Sequence, residues 1–339
     1  MMEYKKVLWI DPVSNSTSVR PYHYMMQQIF PGDRLYTLAD TDRYIPDPEY
    51  LYPGPFYSIN EVSLDEVYTA QTPASDWDLV IIAEFPMSTD AWSQWPDLYG
   101  YVYSLDCPVI GMQMEDSGWG LSETEMYKLL PNVRLVFIRE YGRILRGTGQ
   151  PMAYPPLSFP LPFPYPFGTE EIFNFHPSTA DRPIDVVHNA RLRSTNPNKT
   201  KATRRVDELQ GLNTSTGFIY HPDYLRNLQE AKIAVFAHGF TPNSYQLAFG
   251  DSHRLLSSMA NGAMILWYRD DVIRPHPFKN GEHFVGYHDS FDITRLVKYY
   301  LTHNDERIAI ATAGQEHLRA YHTTQARGSY FLNILETFL

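Results

Sequence analysis

The chain has 339 residues, which is long enough for two domains. Of these residues 43% are hydrophobic and 20% charged, a composition that excludes a disordered protein. Its formal net charge of −11 lies in residues 1–150, which argues against a DNA-coating protein because neutralising phosphates requires clustered cations. The single cysteine, Cys107, excludes an internal disulfide and a multi-cysteine zinc site.

Short apolar runs that end in a polar residue alternate with amphipathic segments along the chain. The runs predicted as strands are 6–11, 78–84, 108–115 and 133–140 in the first half, and 184–189, 217–221, 232–238, 263–269 and 283–288 in the second. The segments with helical spacing are 19–29, 123–130, 201–209, 223–231, 253–261, 293–301, 305–321 and 324–339. This alternation, which occurs twice, is typical of parallel strands joined by crossover helices.

A proline-rich segment separates the two series. Residues 149–183 contain nine prolines. Because proline fixes φ and removes a backbone donor, this segment is predicted to be a linker that is neither helix nor central strand. The sequence therefore predicts an α/β protein with a first domain at 1–165 and a second at 184–323.

The amino terminus and the hydropathy pattern bear on location. The first apolar run has five residues and ends at Asp11, which makes it shorter than the apolar region of a signal peptide. No run approaches the roughly 18 apolar residues of a membrane span. We expect a cytoplasmic protein without a membrane span.

Residues that follow the strands are the first candidates for a site, because ligands of open parallel sheets bind beyond the carboxyl ends of the strands. Neither half contains GxGxxG or GxxxxGK[ST], which argues against dehydrogenases and P-loop ATPases. Residues 191–205 hold six cations and no acid, and they lead from a strand into a helix, where backbone donors favour anions. This stretch predicts a phosphate site, with a solvated basic loop as the alternative.

The second half carries a series of motifs in a recognisable order. The segment YLRNLQEAKIAVFAH is followed by the helix HRLLSSMANGAMIL, in which Arg254 and Gly262 fit the pattern R-x-x-E-x-x-x-x-G. The triplet Gly281-Glu282-His283 and the phrase ERIAIATAGQEHLRAYHTTQAR at 306–327 come next. In this order and spacing the second half resembles the carboxyl-terminal domain of GT-B glycosyltransferases, of the CgeB-like group related to glycosyltransferase family 1.

The resemblance implies the GT-B fold, in which two Rossmann-like domains place parallel sheets across a cleft and a final helix, here 324–339, returns to the first domain. It implies a nucleoside diphosphate-sugar as co-substrate, with no other cofactor and no metal. The acceptor would be a hydroxyl of a polysaccharide, a protein, a metabolite or a modified base in DNA. The acidic first half disfavours DNA, whereas the basic stretch at 191–205 keeps it open.

The implied site residues form four groups. The donor diphosphate would be bound by Arg191, Lys201, Arg204 and Arg254. The nucleoside would be bound by Tyr220, His221, Ser257, Ser258 and Glu282. Catalysis is assigned to Asp116 and His238, and the acceptor loop to Ser14, Asn15 and Ser16. For Asp116 the alternative is a helix cap, and for His238 a structural histidine.

One position departs from the family pattern. The family has a glutamate that binds the ribose where this chain has Ser257. A hydroxyl can pair with a ribose hydroxyl but lacks the strength of a charge-assisted bond, and Glu282 is the nearest acid that could substitute. The alternative function is therefore a catalytically inactive GT-B protein that binds a nucleotide or a sugar.

Overall fold

The computed structural model describes residues 4–11, 20–39, 76–83, 96–113, 132–138, 157–161, 175–178, 182–190, 197–217, 219, 223–237, 253–268 and 278–339. These residues form two sheets in which all neighbouring strands are parallel, with α-helices between the strands. The predicted α/β class with two parallel sheets is confirmed.

The first sheet has six strands in the order β2-β1-β3-β4-β5-β6. The strands are β1 Val7–Asp11, β2 Leu35–Ala39, β3 Leu79–Ala83, β4 Val109–Gln113, β5 Val133–Ile138 and β6 Ser158–Pro160. The helices among them are α1 Arg20–Ile29 and α2 Pro96–Tyr103, with a 3-10 turn at Gly32–Arg34. All five residues of β1 and of β3 are buried, which explains why both strands are almost continuously apolar.

The second sheet has five strands in the order β11-β10-β9-β7-β8. The strands are β7 Ile184–His188, β8 Thr214–Thr216, β9 Ala231–Phe236, β10 Met264–Tyr268 and β11 Val285–Tyr287. The helices are α3 Pro197–Asp207, α4 Asp223–Glu230, α5 His253–Ala260, α6 Ser290–Thr302, α7 Asn304–Tyr321 and α8 Thr324–Phe338. Strand order reverses direction between β7 and β9, which is where open α/β sheets form their ligand-binding crevices.

Most predicted elements agree with the structure to within a few residues, but the predicted strand at 217–221 is wrong. The strand there is β8, which ends at Thr216, because Gly217 has a φ of +92° that breaks the extended conformation. Two short strands, β2 and β6, and the helix α2 were not predicted from the sequence. β6 is only three residues long, ends in proline and, among the described strands, pairs with β5 alone, as expected of an edge strand. The predicted helix at 123–130 lies outside the described residues.

The last helix, α8, packs against the first sheet and α1 rather than extending from the second sheet. The ring of Phe331 lies 4.6 Å from that of Phe137 on β5, and the ring of Phe338 lies 4.7 Å from that of Phe159 on β6. A Cβ at Gly328 would come within 2.5 Å of the Ile29 side chain, so the glycine permits close packing of α8 on α1. Helix α8, which follows the second sheet in the chain, therefore packs on the first sheet.

A buried arginine fixes the helices that follow β8 and β9. Arg182 is 5% exposed and donates hydrogen bonds to the carbonyl oxygens of Leu228, Ala231 and Asn261, at 3.3, 2.7 and 2.8 Å. These carbonyls lie at or just beyond the carboxyl ends of α4 and α5, where helix carbonyls lack intrahelical donors and a cation is favoured. The carbonyl of Phe175, in the proline-rich segment, also accepts from Arg182 at 3.3 Å.

Candidate functional site

A pocket lies at the carboxyl ends of β7 and β9, at the point where the strand order of the second sheet reverses. Helices α4 and α5 form its other wall. The polar side chains in its lining are His188, Asn189, Tyr224, Arg254 and Ser258. Its volume of about 20 Å³ admits one water-sized group, such as a hydroxyl or a single phosphate oxygen.

Arg254 is the cation of this pocket. It lies in the first turn of α5, where the helix amino terminus and the positive charge act together on an anion. Its guanidinium lies 5.6 Å from the centre of the Phe236 ring at the end of β9. Burial lowers the pKa of Arg254 from its ordinary value, and the nearby Tyr224 opposes this effect. Within the described part of the chain, no carboxylate forms a salt bridge with Arg254, so its charge is open to an anionic ligand.

Tyr224 and Ser258 close the pocket on the helical side. Ser258 is one turn after Arg254 and donates a hydrogen bond to the Arg254 carbonyl oxygen at 2.7 Å. Burial raises the pKa of the Tyr224 hydroxyl, while Arg254 and a hydrogen bond with Ser258 lower it. Tyr224 is therefore a neutral phenol at physiological pH.

Asn189 follows β7 and belongs to a partly buried amide network. Its Nδ2 donates to the carbonyl of Gly217 at 3.3 Å, and its Oδ1 accepts from Asn227 at 3.5 Å. Asn227 also donates to the Ser215 hydroxyl at 2.8 Å. This network holds the end of β7 against β8 and α4, which keeps the floor of the pocket in place.

His188 ends β7 and is 3% exposed. Its Nδ1 lies 2.7 Å from the carbonyl oxygen of Val235. Burial is the main cause that lowers the pKa of His188 to about 4, and the charges of Arg254 and Lys199 add to it, whereas the backbone carbonyls of Val235 and Lys199 oppose it. The imidazole is therefore neutral near pH 7. Its dependence on the charge of Lys199 also places that lysine, in the first turn of α3, near the pocket.

The structure brings some of the predicted donor-binding residues together and separates others. Arg254 and Ser258 both line the pocket. Ser257 is 2% exposed on the same helix but does not line it, and its carbonyl accepts hydrogen bonds from the backbone and side chain of Asn261. Lys201 and Arg204 are exposed on later turns of α3.

Glu282 lies away from the pocket. It precedes β11, so it lies at the amino-terminal edge of the parallel sheet, opposite the carboxyl ends that form the pocket. Its carboxylate pairs with Lys279 at 3.3 Å and with His283 at 3.2 Å. The hydrogen bond from Lys279 is the main cause that lowers the pKa of Glu282. This separation leaves the pocket without the substitute acid expected from the sequence.

The other predicted site residues lie outside the described part of the chain, and their roles stay predictions. They are Arg191 of the diphosphate group, Tyr220 and His221 of the nucleoside group, Asp116 and His238 of the catalytic pair, and Ser14, Asn15 and Ser16 of the acceptor loop.

Sequence reasoning did not assign His188 or Tyr224 to the site, and it left Lys199 as one of several cations. His188 ends an apolar run, so it reads as part of the strand, although the rule of strand ends applies to it. Tyr224 stands in an amphipathic helix and reads as a core residue. Lys199 was not singled out because the helix was predicted to begin at 201, whereas α3 begins at Pro197 and its first turn faces the carboxyl ends of the strands.

The described ranges hold neither a cluster of metal-ligating side chains nor a helix that could span a membrane. They contain no group of three or more His, Cys, Asp and Glu side chains placed to hold a metal ion. None of the described helices has the length and apolarity that crossing a membrane requires.

The family model described as glycosyl transferase-like matches residues 193–333, which include α3, α4, α5 and most of the second sheet. No curated protein sequence matches the chain. HepE of Anabaena in complex with UDP is similar in structure, with a TM-score of 0.64 at 10% identity over 98% of this chain and 100% of that one. A glycosyltransferase of Rickettsia africae has a TM-score of 0.65 at 9% identity, covering 99% of both chains.

A third similar structure is an alpha-glucosyltransferase in complex with UDP and DNA that contains an HMU base. Its TM-score is 0.66 at 9% identity, covering 99% of this chain and 100% of that one. The chain has the GT-B glycosyltransferase fold. The GT-B fold predicted from the sequence is confirmed, whereas the CgeB-like assignment stays a prediction. Arg254 and the other helical residues of the pocket lie in the part that the family model matches, whereas Val187, His188 and Asn189 precede it.

Proposed function

We propose that this GT-B protein is a glycosyltransferase that uses a UDP-sugar donor and an acceptor hydroxyl. The observation that carries the proposal is Arg254, a cation without a salt bridge to any described residue, in a pocket at the strand-order reversal of the second sheet. The match to the glycosyl transferase-like family supports the reaction class. UDP is bound by HepE and by the alpha-glucosyltransferase, which supports uracil as the base.

The chemistry requires stabilisation of the leaving group. Transfer breaks the bond between the anomeric carbon and the diphosphate oxygen, forms a bond to the acceptor oxygen, and releases UDP together with the acceptor proton. Negative charge therefore develops on the diphosphate. Fixed cations in a partly dehydrated site stabilise such charge more than water does. Arg254 and Lys199 are placed on two helix amino termini to provide this charge, which supports transfer without a metal.

The stereochemistry and the acceptor belong to the same proposal. An alpha-glucosyltransferase of similar fold forms a complex with UDP-glucose, which is an α-linked donor. On this basis we propose that this chain retains the anomeric configuration. Its acidic first 150 residues, with 21 Asp and Glu against 10 Lys and Arg, disfavour duplex DNA as the acceptor. A carbohydrate, a protein or a small hydroxylated metabolite fits this charge better.

The reaction is tested by measuring release of UDP from UDP-glucose, first with water and then with sugar, peptide and hydroxymethylated DNA acceptors. We expect slow release with water and faster release with an acceptor that is not DNA. The inactive alternative, which the loss of the family glutamate at Ser257 favours, predicts tight UDP binding without release under any condition. Release that requires DNA would contradict the assigned acceptor class but not the transfer reaction.

A further inference from the structure

The imidazole of His188 has a fixed tautomer. Its Nδ1 lies 2.7 Å from the carbonyl oxygen of Val235, and a carbonyl oxygen can only accept a hydrogen bond. The proton therefore sits on Nδ1. In the neutral ring Nε2 then carries a lone pair and acts as an acceptor.

This Nε2 is a buried polar atom with no hydrogen-bond partner among the residues that the structure describes. The backbone carbonyl of Lys199 lies beside the ring and raises its pKa as a hydrogen-bond acceptor does, but it cannot donate to Nε2, and it already receives a bond from the Thr203 hydroxyl at 2.9 Å. Two acceptors cannot pair. An unpaired buried polar atom is unfavourable, so a group that donates a hydrogen bond to Nε2 gains by binding there.

The surroundings of His188 select the kind of group that it can bind. Burial and the charges of Arg254 and Lys199 hold the pKa of His188 at about 4, so the ring stays an acceptor at neutral pH. A phosphate dianion has no hydrogen to donate to such a nitrogen. A hydroxyl has one, and the pocket that His188 helps to line has a volume of about 20 Å³, which is enough for one such group.

We infer that His188 Nε2 accepts a hydrogen bond from a hydroxyl of the bound nucleotide-sugar, next to the diphosphate that Arg254 binds. This inference rests on the proposed function. The hydroxyl belongs to the ribose or to the transferred sugar, since both flank the diphosphate. His188 thereby supplies an acceptor in a pocket where Ser257 provides no carboxylate and Glu282 lies at the opposite edge of the sheet.

The test compares ligands that differ by one hydroxyl in the wild type and in His188→Asn. Asparagine keeps an amide N–H near the position of Nδ1 and has nothing at the position of Nε2. Calorimetric titrations would use UDP, 2′-deoxy-UDP, 3′-deoxy-UDP and UDP-glucose. If the partner is a ribose hydroxyl, the wild type binds the UDP analogue that lacks this hydroxyl about 3–10-fold more weakly than it binds UDP. His188→Asn then binds UDP about 3–10-fold more weakly than the wild type does, and it binds that deoxy analogue no more weakly than it binds UDP.

If the partner is a sugar hydroxyl, His188→Asn binds UDP like the wild type and binds UDP-glucose about 3–10-fold more weakly. His188→Gln, which places an amide oxygen near the position of Nε2, keeps the dependence on the hydroxyl in either case and serves if the asparagine variant does not fold. His303→Asn, on the surface after α6, is the matched control and should bind every ligand like the wild type.

Two outcomes overturn the assignment separately. The role of His188 is overturned if His188→Asn loses affinity for each deoxy analogue as the wild type does and binds UDP-glucose as tightly as the wild type. That result leaves the proposed function intact. A folded wild-type protein that binds neither UDP nor UDP-glucose overturns the proposed function, and the role of His188 falls with it.

Discussion

Replacing Arg182 with alanine should destabilise the protein by about 3–4 kcal/mol. The carbonyls of Leu228, Ala231 and Asn261 would lose a charged donor, and each unpaired buried carbonyl costs about 1–3 kcal/mol, partly offset because a buried cation is removed. Burial lowers the pKa of Arg182 to about 10, so the side chain is still protonated at neutral pH and its charge contributes to these bonds.

The measurement is urea unfolding followed by the fluorescence of tryptophan, with the slope of the transition checked for a single step. Arg226→Ala is the control, because Arg226 is exposed on α4 and pairs only with Asp223 among the described residues, so its loss should change stability by less than about 0.5 kcal/mol. Equal stability of the Arg182 and Arg226 variants would show that Arg182 does not hold the ends of α4 and α5.

Replacing Arg254 with alanine should weaken UDP binding by about 1.5–3 kcal/mol, which is roughly a 10- to 150-fold rise in Kd. The guanidinium has no described carboxylate partner, and burial already lowers its pKa, so its charge is costly in the free protein and is compensated by an anion. The same argument predicts little loss of folding stability. Calorimetric titration with UDP measures the first effect, and thermal unfolding measures the second.

Arg295→Ala is the matched control for Arg254. Arg295 is exposed on α6 and pairs with Asp292 at 3.0 Å. Helix α6 contributes no residue to the lining of the pocket at the carboxyl ends of β7 and β9. Its loss should leave the Kd for UDP unchanged. If Arg254→Ala binds UDP as tightly as Arg295→Ala does, Arg254 is not a diphosphate ligand.

The sequence could predict the two sheets because each buried strand is a short apolar run bounded by polar residues, as β1, β3 and β9 are. It could not predict β6, since three residues that end in proline carry no periodic signal. The end of β8 depended on the positive φ of Gly217, and glycine alone does not reveal its own dihedral angles.

Arg254 was assigned from the family resemblance, and the structure places it in the first turn of α5 and in the lining of the pocket. Within the basic stretch, spacing alone did not separate Lys199 from Lys201 and Arg204, because the choice depends on where α3 begins. Glu282 was chosen as the nearest candidate for a substitute acid, but nearness in the sequence does not show at which edge of the sheet a residue lies. Its position before a parallel strand already placed it at the amino-terminal edge.

The most direct test of the nucleotide site is hydrogen–deuterium exchange of the wild-type protein with and without saturating UDP. The account predicts slower exchange at the first turns of α3 and α5 and at the ends of β7 and β9, where Lys199, Arg254, His188 and Phe236 lie. Protection confined to the first sheet, with exchange at these four places unchanged, would contradict it.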